Sequence, residues 1–214
     1  MADTNLRSLV VFDLDGTLLR GPTVCEVLAQ ALGRLPRMQE IEHLKHRHEI
    51  AAAREEMAVW YAEVSRAAIL DSLQNVQFAP GLAAGISLLQ EHGVTVGIAS
   101  ITWRFAVQHL AEQLAIEHCL ATSLQDSGAI DHVWPEHKAQ WLLDLTTRMG
   151  VSPQRTAAIG DSAGDYEMLG VAGIPIFVGV ESPPVESDWL HWPAANIEHV
   201  ARHLIEAWAL QPKA

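Results

Sequence analysis

The chain has 214 residues, with 14 Lys and Arg against 26 Asp and Glu, a formal net charge of −12 with histidine neutral. That balance leaves no broad basic surface to track a phosphodiester backbone, which excludes nucleic acid as an expected partner. Hydrophobic residues at 49% and charged residues at 19% describe a folded globule with a real core, long enough for one domain plus a smaller inserted module.

The opening stretch MADTNLRSLVVFDLDG reaches an acidic pair after only a few apolar residues, too few for a secretory segment or a membrane span. Cys25 and Cys119 lie far apart and in no metal-ligand spacing, so both are expected to be small core residues in a reducing, cytoplasmic compartment. The run LVVF (9–12) predicts a buried strand, as do VTVGIAS (94–100), RTAAIG (155–160) and IPIFVG (174–179). Because they alternate with helical patterns, they predict an α/β protein with a mostly parallel sheet and helices on both faces. Ligands collect at the strand ends of such a sheet.

Between the first two runs lie roughly sixty residues without a strand signal, far longer than an ordinary connection, which predicts an inserted helical module. Its best helix carries Met57, Trp60, Tyr61, Val64 and Ala68 as one apolar stripe. Gly33 and Pro36 separate it from an earlier helix, and Pro80-Gly81 closes the module. After Ser100, WRFAVQHLAEQLAI reads as a helix. LATSLQDSGAIDHVW reads as a short strand and hairpin turning at Asp126-Ser127-Gly128. Pro135 suits the first turn of a helix that Gly150 ends, VESPPVESDWLHWP is loop by its prolines, and 196–210 form an amphipathic terminal helix.

Asp13 and Asp15 finish the first strand two residues apart, so their side chains are expected on one side, and Gly16-Thr17 permits a tight exit. Left unpaired, two such carboxylates would repel each other and resist desolvation, so a cation should meet them. Asp161 follows the strand 155–160, and Asp165 comes one helical turn later on the same face. Four carboxylates at two strand tips call for a hard cation, and oxygen ligands with waters suit Mg²⁺. Lys138 lies near the start of its helix on the face of Leu142, Leu145 and Met149, so its stem should pack while its head reaches the sheet edge. The Ser100 hydroxyl and the backbone N–H of Ile101 could bind a phosphate oxygen at a helix start, although a serine there is also a common N-cap.

In order, Asp13-Leu14-Asp15-Gly16-Thr17, Ser100, Lys138 and Gly160-Asp161-Ser162-Ala163-Gly164-Asp165 resemble the four motifs of the haloacid dehalogenase-like superfamily. The resemblance implies a Rossmann-like core (1–19 and 79–214), a helical cap inserted at 20–78, and Mg²⁺-dependent hydrolysis of a small phosphorylated metabolite through an aspartyl-phosphate. Carried over, Asp13 is nucleophile and metal ligand, and Asp15 is general acid/base and lends its backbone carbonyl to the metal. Asp161 is a further ligand, Asp165 holds the metal's waters or orients Lys138, and Ser100 and Lys138 grip the phosphate. Dehalogenases of the superfamily lack an acid at the position of Asp15, so its presence implies phosphate chemistry.

The hairpin before Lys138 and the sequence GDSAGDYEMLGVAG look most like the phosphoserine-phosphatase-like branch. Two departures stand against a specific phosphoserine assignment: Ser100 is followed by Ile101-Thr102 rather than two glycines, and Ser162 and Gly164 interrupt the last motif. The glutamate that binds the substrate amine in that branch would fall near Pro22, with Glu26 the closest acid. Arg54 is a candidate for a substrate carboxylate. Phosphotransfer to an acceptor other than water, or a receiver-like phospho-acceptor module, are the alternatives, the latter carrying its acceptor on a later strand. His43, His46 and His48 read as a solvated face rather than a metal site, because no compact ligand set accompanies them. Trp103 and Trp134 are candidates for the rim of the cleft.

Overall fold

The computed structural model describes residues 7–183 and 187–212. Its first strand, β1 (Ser8–Phe12), is buried along its whole length. Val10 and Phe12 pack into one hydrophobic cluster, Leu9 and Val11 into another, so the strand is covered on both faces. This is why its sequence is continuously apolar.

A short strand β2 (Leu19–Arg20) leads into the insert of α1 (Val24–Ala31), α2 (Leu35–Ile41), α3 (Arg47–Ala62) and α4 (Arg66–Ser72), and β3 (Gln77–Phe78) leads out. β2 and β3 pair antiparallel at the foot of the insert. The sequence showed no strand there, because two-residue strands carry no period to read. The apolar stripe is also interrupted: α3 stops at Ala62, Val64 lies in the turn, and both Val64 and Ala68 are exposed. Ser65 is the reason, since its hydroxyl accepts the Ala68 N–H at 3.2 Å and starts a new helix.

Beyond the insert come α5 (Leu82–Glu91), β4 (Val94–Trp103), α6 (Arg104–Gln113), β5 (His118–Leu124), β6 (Ile130–Asp131) and α7 (Pro135–Met149). They are followed by β7 (Thr156–Gly160), α8 (Tyr166–Val171), β8 (Ile174–Phe177), β9 (Leu190–His191) and α9 (Ile197–Ala207). The main sheet has the order β6-β5-β4-β1-β7-β8-β9, parallel except for the antiparallel β5–β6 hairpin. α5, α6 and α9 contribute to the cluster under one face, α7 and α8 to that under the other. The expected α/β architecture, the hairpin and the Gly150 helix stop, at φ +63°, are all present.

Three expectations need correction. The second strand runs on to Trp103, so Ser100 is not a helix N-cap and α6 begins only at Arg104. Trp103 is no rim residue: it is 1% exposed, edge-on to Tyr61 at 5.5 Å and stacked with Phe105. The tail 180–193 is not all loop, since β9 adds to the sheet edge beside β8; its residues 184–186 lie outside the described residues. Among the described residues, no helix is long and apolar enough to cross a membrane.

Candidate active site

β1 is the middle strand between β4 and β7, so their carboxyl ends converge on one point. Phe12 pairs with Ile98 and with Ile159, and the Asp13 N–H extends the ladder by donating to the Ile159 carbonyl at 2.8 Å. Asp13 and Asp161, each just past its strand, and Ser100, at the register break within β4, therefore lie almost level with one another. Two glycines allow the loops to meet. Gly16 has φ +84°, and a Cβ there would overlap the Asp161 carboxylate; a Cβ on Gly160 would overlap that of Asp165.

Lys138 rises from the first turns of α7 into this convergence. Its Nζ donates to Asp13 Oδ1 at 2.6 Å and to Asp165 Oδ1 at 2.7 Å, with all three side chains almost wholly buried. Asp13, Asp161 and Asp165 each place a carboxylate oxygen within 4.8 Å of the other two. One ammonium among three carboxylates leaves negative charge in excess, and an all-oxygen donor set fits a hard divalent cation such as Mg²⁺. The carboxyl of Asp15 lies outside this cluster, so three carboxylates rather than the expected four gather here; what the resemblance asks of Asp15 toward the metal is its backbone carbonyl.

The titration of the groups follows from this crowding. Burial first, then the Asp165 and Asp161 charges, push the Asp13 carboxyl well above the ordinary range despite the pull of Lys138. Asp161 is raised by burial and Asp165, with the Thr17 hydrogen bond opposing. For Lys138, burial works against the charge, but Asp13 and Asp165 outweigh it and the ammonium is held more firmly than usual. Asp15 is pushed up to about 7, by burial foremost and by Glu42 and Asp161, against the Val24 hydrogen bond and Lys138.

Asp13 and Asp15 do not share one partner. Past Phe12 the chain leaves the strand, so the two-residue period no longer applies, and Asp15 Oδ1 accepts the Val24 N–H at 2.7 Å at the start of α1. Asp165 is reached through a 3₁₀ turn (Ala163–Asp165) rather than an α-turn. Its Oδ2 accepts from the Asp161 N–H, the Ser162 N–H and the Ser162 hydroxyl, each at 3.1 Å.

Ser100 lies in a break of the β4–β5 register between Ala99 and Trp103, where the ladder is interrupted. It is buried, and its Oγ accepts the Thr102 N–H at 3.2 Å. Ile101 is 41% exposed, and its carbonyl is held by Thr122 Oγ1 at 2.9 Å and Arg54 Nη2 at 3.0 Å. Arg54 is itself 5% exposed, unlike an ordinary solvated surface charge, and no carboxylate pairs with it among the described residues. Cys25 hydrogen-bonds Thr102 Oγ1 at 3.1 Å, and burial pushes its thiol up to about 12, so at neutral pH it is not a thiolate. Glu26 is committed to the capping box of α1, accepting the Thr23 N–H at 2.8 Å. Cys119 is free and half-buried, and the three histidines lie exposed on the insert.

Sequence reasoning missed Thr17, whose hydroxyl donates to Asp161 Oδ1 at 3.2 Å, and Ser162, which anchors Asp165. Each sits inside a stretch already singled out for its aspartates, and its hydroxyl was the available signal. Thr122 and the Val24 N–H had none, because their partners are distant in sequence.

A model of the haloacid dehalogenase-like hydrolase family matches residues 10–170. The chain is 28% identical over 179 residues to phosphoserine phosphatase SerB2 of Mycobacterium tuberculosis, a match over 79% of this chain and 44% of that protein, so the chain spans less than half the length of that relative. It is 26% identical over 183 residues to the phosphoserine phosphatase of Polaromonas sp., covering 78% and 77% of the two. A solved phospho-aspartyl intermediate analogue of phosphoserine phosphatase superposes with a TM-score of 0.76 at 18% identity, over 93% of this chain and 99% of that one, a likeness of fold.

Proposed function

The chain belongs to the haloacid dehalogenase-like hydrolases, and from that premise we propose that it hydrolyses a small phosphomonoester, with Mg²⁺ held among the strand-end carboxylates and with Asp13 as nucleophile. The observation that carries this reading is Lys138, buried and shared between Asp13 and Asp165 while Asp161 stands against them. Asp13 and Asp161 would hold the ion, joined by the Asp15 carbonyl. Asp165, whose oxygens already accept from Lys138, Asp161 and Ser162, positions rather than binds. When bound, the ion supplies positive charge that lets a phosphate approach a carboxylate.

The residues divide the work. Asp13 Oδ forms a bond to phosphorus as the ester P–O bond breaks, while Asp15 gives its proton to the departing oxygen. A water then attacks the same phosphorus and loses a proton to Asp15, and the Asp13–phosphorus bond breaks to release phosphate. Lys138, the Ser100 hydroxyl and the Ile101 N–H hold the phosphate oxygens. Residues 20–78 act as a cap over a core of 1–19 and 79–214, closing water out during transfer.

Among the described residues Arg54 has no carboxylate to offset its charge, but it is buried and its Nη groups already donate to His132, Ile101 and Val133, which suits it to the join between cap and core rather than to a second anion on the substrate. With Glu26 spent on helix capping and proline at position 22, a substrate amine has no evident acid to meet. Phosphoserine and amine-free phosphates of similar size are therefore both candidate substrates.

The test is a panel of phosphomonoesters with Mg²⁺ or with chelator, read as free phosphate. Asp13→Asn should lose at least about a thousandfold in kcat, chelator should abolish turnover, and phosphoserine should gain little over the same acid without its amine. Equal activity in Asp13→Asn would refute the nucleophile. Consumption of ester without free phosphate would point to transfer to another acceptor.

A further inference from the structure

The insert meets the core through a compact set of contacts that the hydrolytic chemistry does not use. Trp134 is the residue before α7, four positions ahead of Lys138. The guanidinium carbons of Arg54 and Arg47 lie 4.6 Å and 5.2 Å from its ring centroid, and the His132 ring stacks on it at 5.3 Å. Arg47 and Arg54 are seven residues apart on α3, two turns along one face. Arg47 also pairs with Glu136 in the first turn of α7.

The hydrogen bonds close the set. Arg54 Nη1 donates to His132 Nδ1 at 3.0 Å, and Nη2 donates to the carbonyls of Ile101 at 3.0 Å and Val133 at 3.2 Å. Thr122, wholly buried, donates its hydroxyl to that Ile101 carbonyl and accepts the Val133 N–H at 3.0 Å. One helix of the insert is thereby tied to the strand break beside Ser100 and to the segment that leads into the Lys138 helix.

We propose that Trp134 and His132 are positioning residues that fix Arg54, and with it the cap, against the Ser100 strand and the start of α7, so that cap closure and assembly of the phosphate-gripping groups are one event. Trp134 supplies the face on which both guanidinium groups rest. His132 supplies a neutral acceptor, because Nδ1 can receive the Arg54 proton only when it carries none of its own. Protonation of that ring nitrogen would set two donors, both cationic, against each other. Glu55 of α3 and Asp131 of β6 favour the charged imidazole, while burial and Arg54 disfavour it and prevail, so its pKa is lowered. Arg104, His137 and Asp144 line the same open groove. The clasp should thus hold at neutral pH and loosen in acid.

The kinetic arm of the test rests on the proposed hydrolysis; hydrogen exchange does not. Trp134→Ala should speed amide exchange in residues 47–62 while leaving β1 and β7 protected, and should lower kcat/KM for p-nitrophenyl phosphate with Mg²⁺ about tenfold. Trp134→Phe, which keeps a ring, should restore part of both. His132→Asn keeps a neutral acceptor that does not titrate in this range, so the ratio of wild-type to His132→Asn kcat/KM should be flat at neutral pH and fall in acid. Dividing the two cancels the titration of the aspartates. Unchanged exchange in 47–62 for both Trp134 variants would overturn the proposal, as would loosening of the core to the same degree or a ratio that does not vary with pH. A wild-type protein inactive toward every phosphomonoester would refute the hydrolytic reading, while the exchange comparison would still decide the clasp.

Discussion

Asp15 shows how one side chain's chemistry is set by what stands around it. The acid role proposed for it requires a proton held near neutrality, and burial with Glu42 and Asp161 nearby pushes its pKa up to about 7. The Val24 N–H opposes this by favouring the carboxylate, so the balance is open to adjustment from outside the site. Glu42 is the accessible lever: it ends α2, and its carboxylate accepts the Thr23 hydroxyl at 2.9 Å. Glu42→Gln removes a charge that raises Asp15. The basic limb of the kcat/KM profile for an alkyl phosphate should then move to lower pH, and Asp15→Asn should lose activity mainly on poor leaving groups. A limb that stays in place in Glu42→Gln would mean that the deprotonating group is not Asp15.

At the level of elements, the join between insert and core depends on a large side chain at the end of β4. Trp103, fully enclosed, meets Tyr61 of α3 at 5.5 Å and lies against Phe105 of α6, so it links the inserted helices to the sheet. Trp103→Ala should destabilise the chain by about 3–5 kcal/mol, read from urea unfolding. A change below about 1 kcal/mol would mean that the insert packs independently of this residue. Its burial was not evident in the sequence because a tryptophan after a strand can face a cleft as readily as a core. The α3–α4 break was hidden for a related reason: the apolar spacing runs on through Val64 and Ala68, while Ser65, a capping residue, ends that register locally.

Across the whole molecule, the site concentrates acid in a chain that is already negative, with a formal charge of −12. Asp13, Asp15 and Asp161 all have their pKa raised by burial foremost. A carboxyl raised in the folded state favours its protonated form there. The stability it contributes is fully present below the ordinary carboxylate value near about 4, and is lost as pH rises through the folded value, which for Asp15 is about 7. The metal-free protein should therefore have a higher Tm near about pH 5 than near about pH 8, and Mg²⁺ should raise Tm more at the higher pH. Differential scanning calorimetry at the two pH values with and without Mg²⁺ checks this. An equal Mg²⁺ effect at both would count against these carboxylates as the ion's site.

Local chemistry determined much of this protein from sequence alone. Apolar β-branched runs marked the main strands, Pro135 and Gly150 bounded the Lys138 helix, and aspartates just past strand ends marked the site, because each signal lies within a few adjacent residues. Tertiary structure alone decided that Lys138 pairs with Asp13 as well as Asp165, that Asp15 turns to the start of α1, that β2 and β3 pair, and that Arg54 is buried against Trp134. Those outcomes depend on groups far apart in the chain, Lys138 being 125 residues from Asp13 and Arg54 78 from His132. Charge and hydrogen-bonding capacity are written at each position, but which partner satisfies them is settled only when packing brings distant segments within bonding distance.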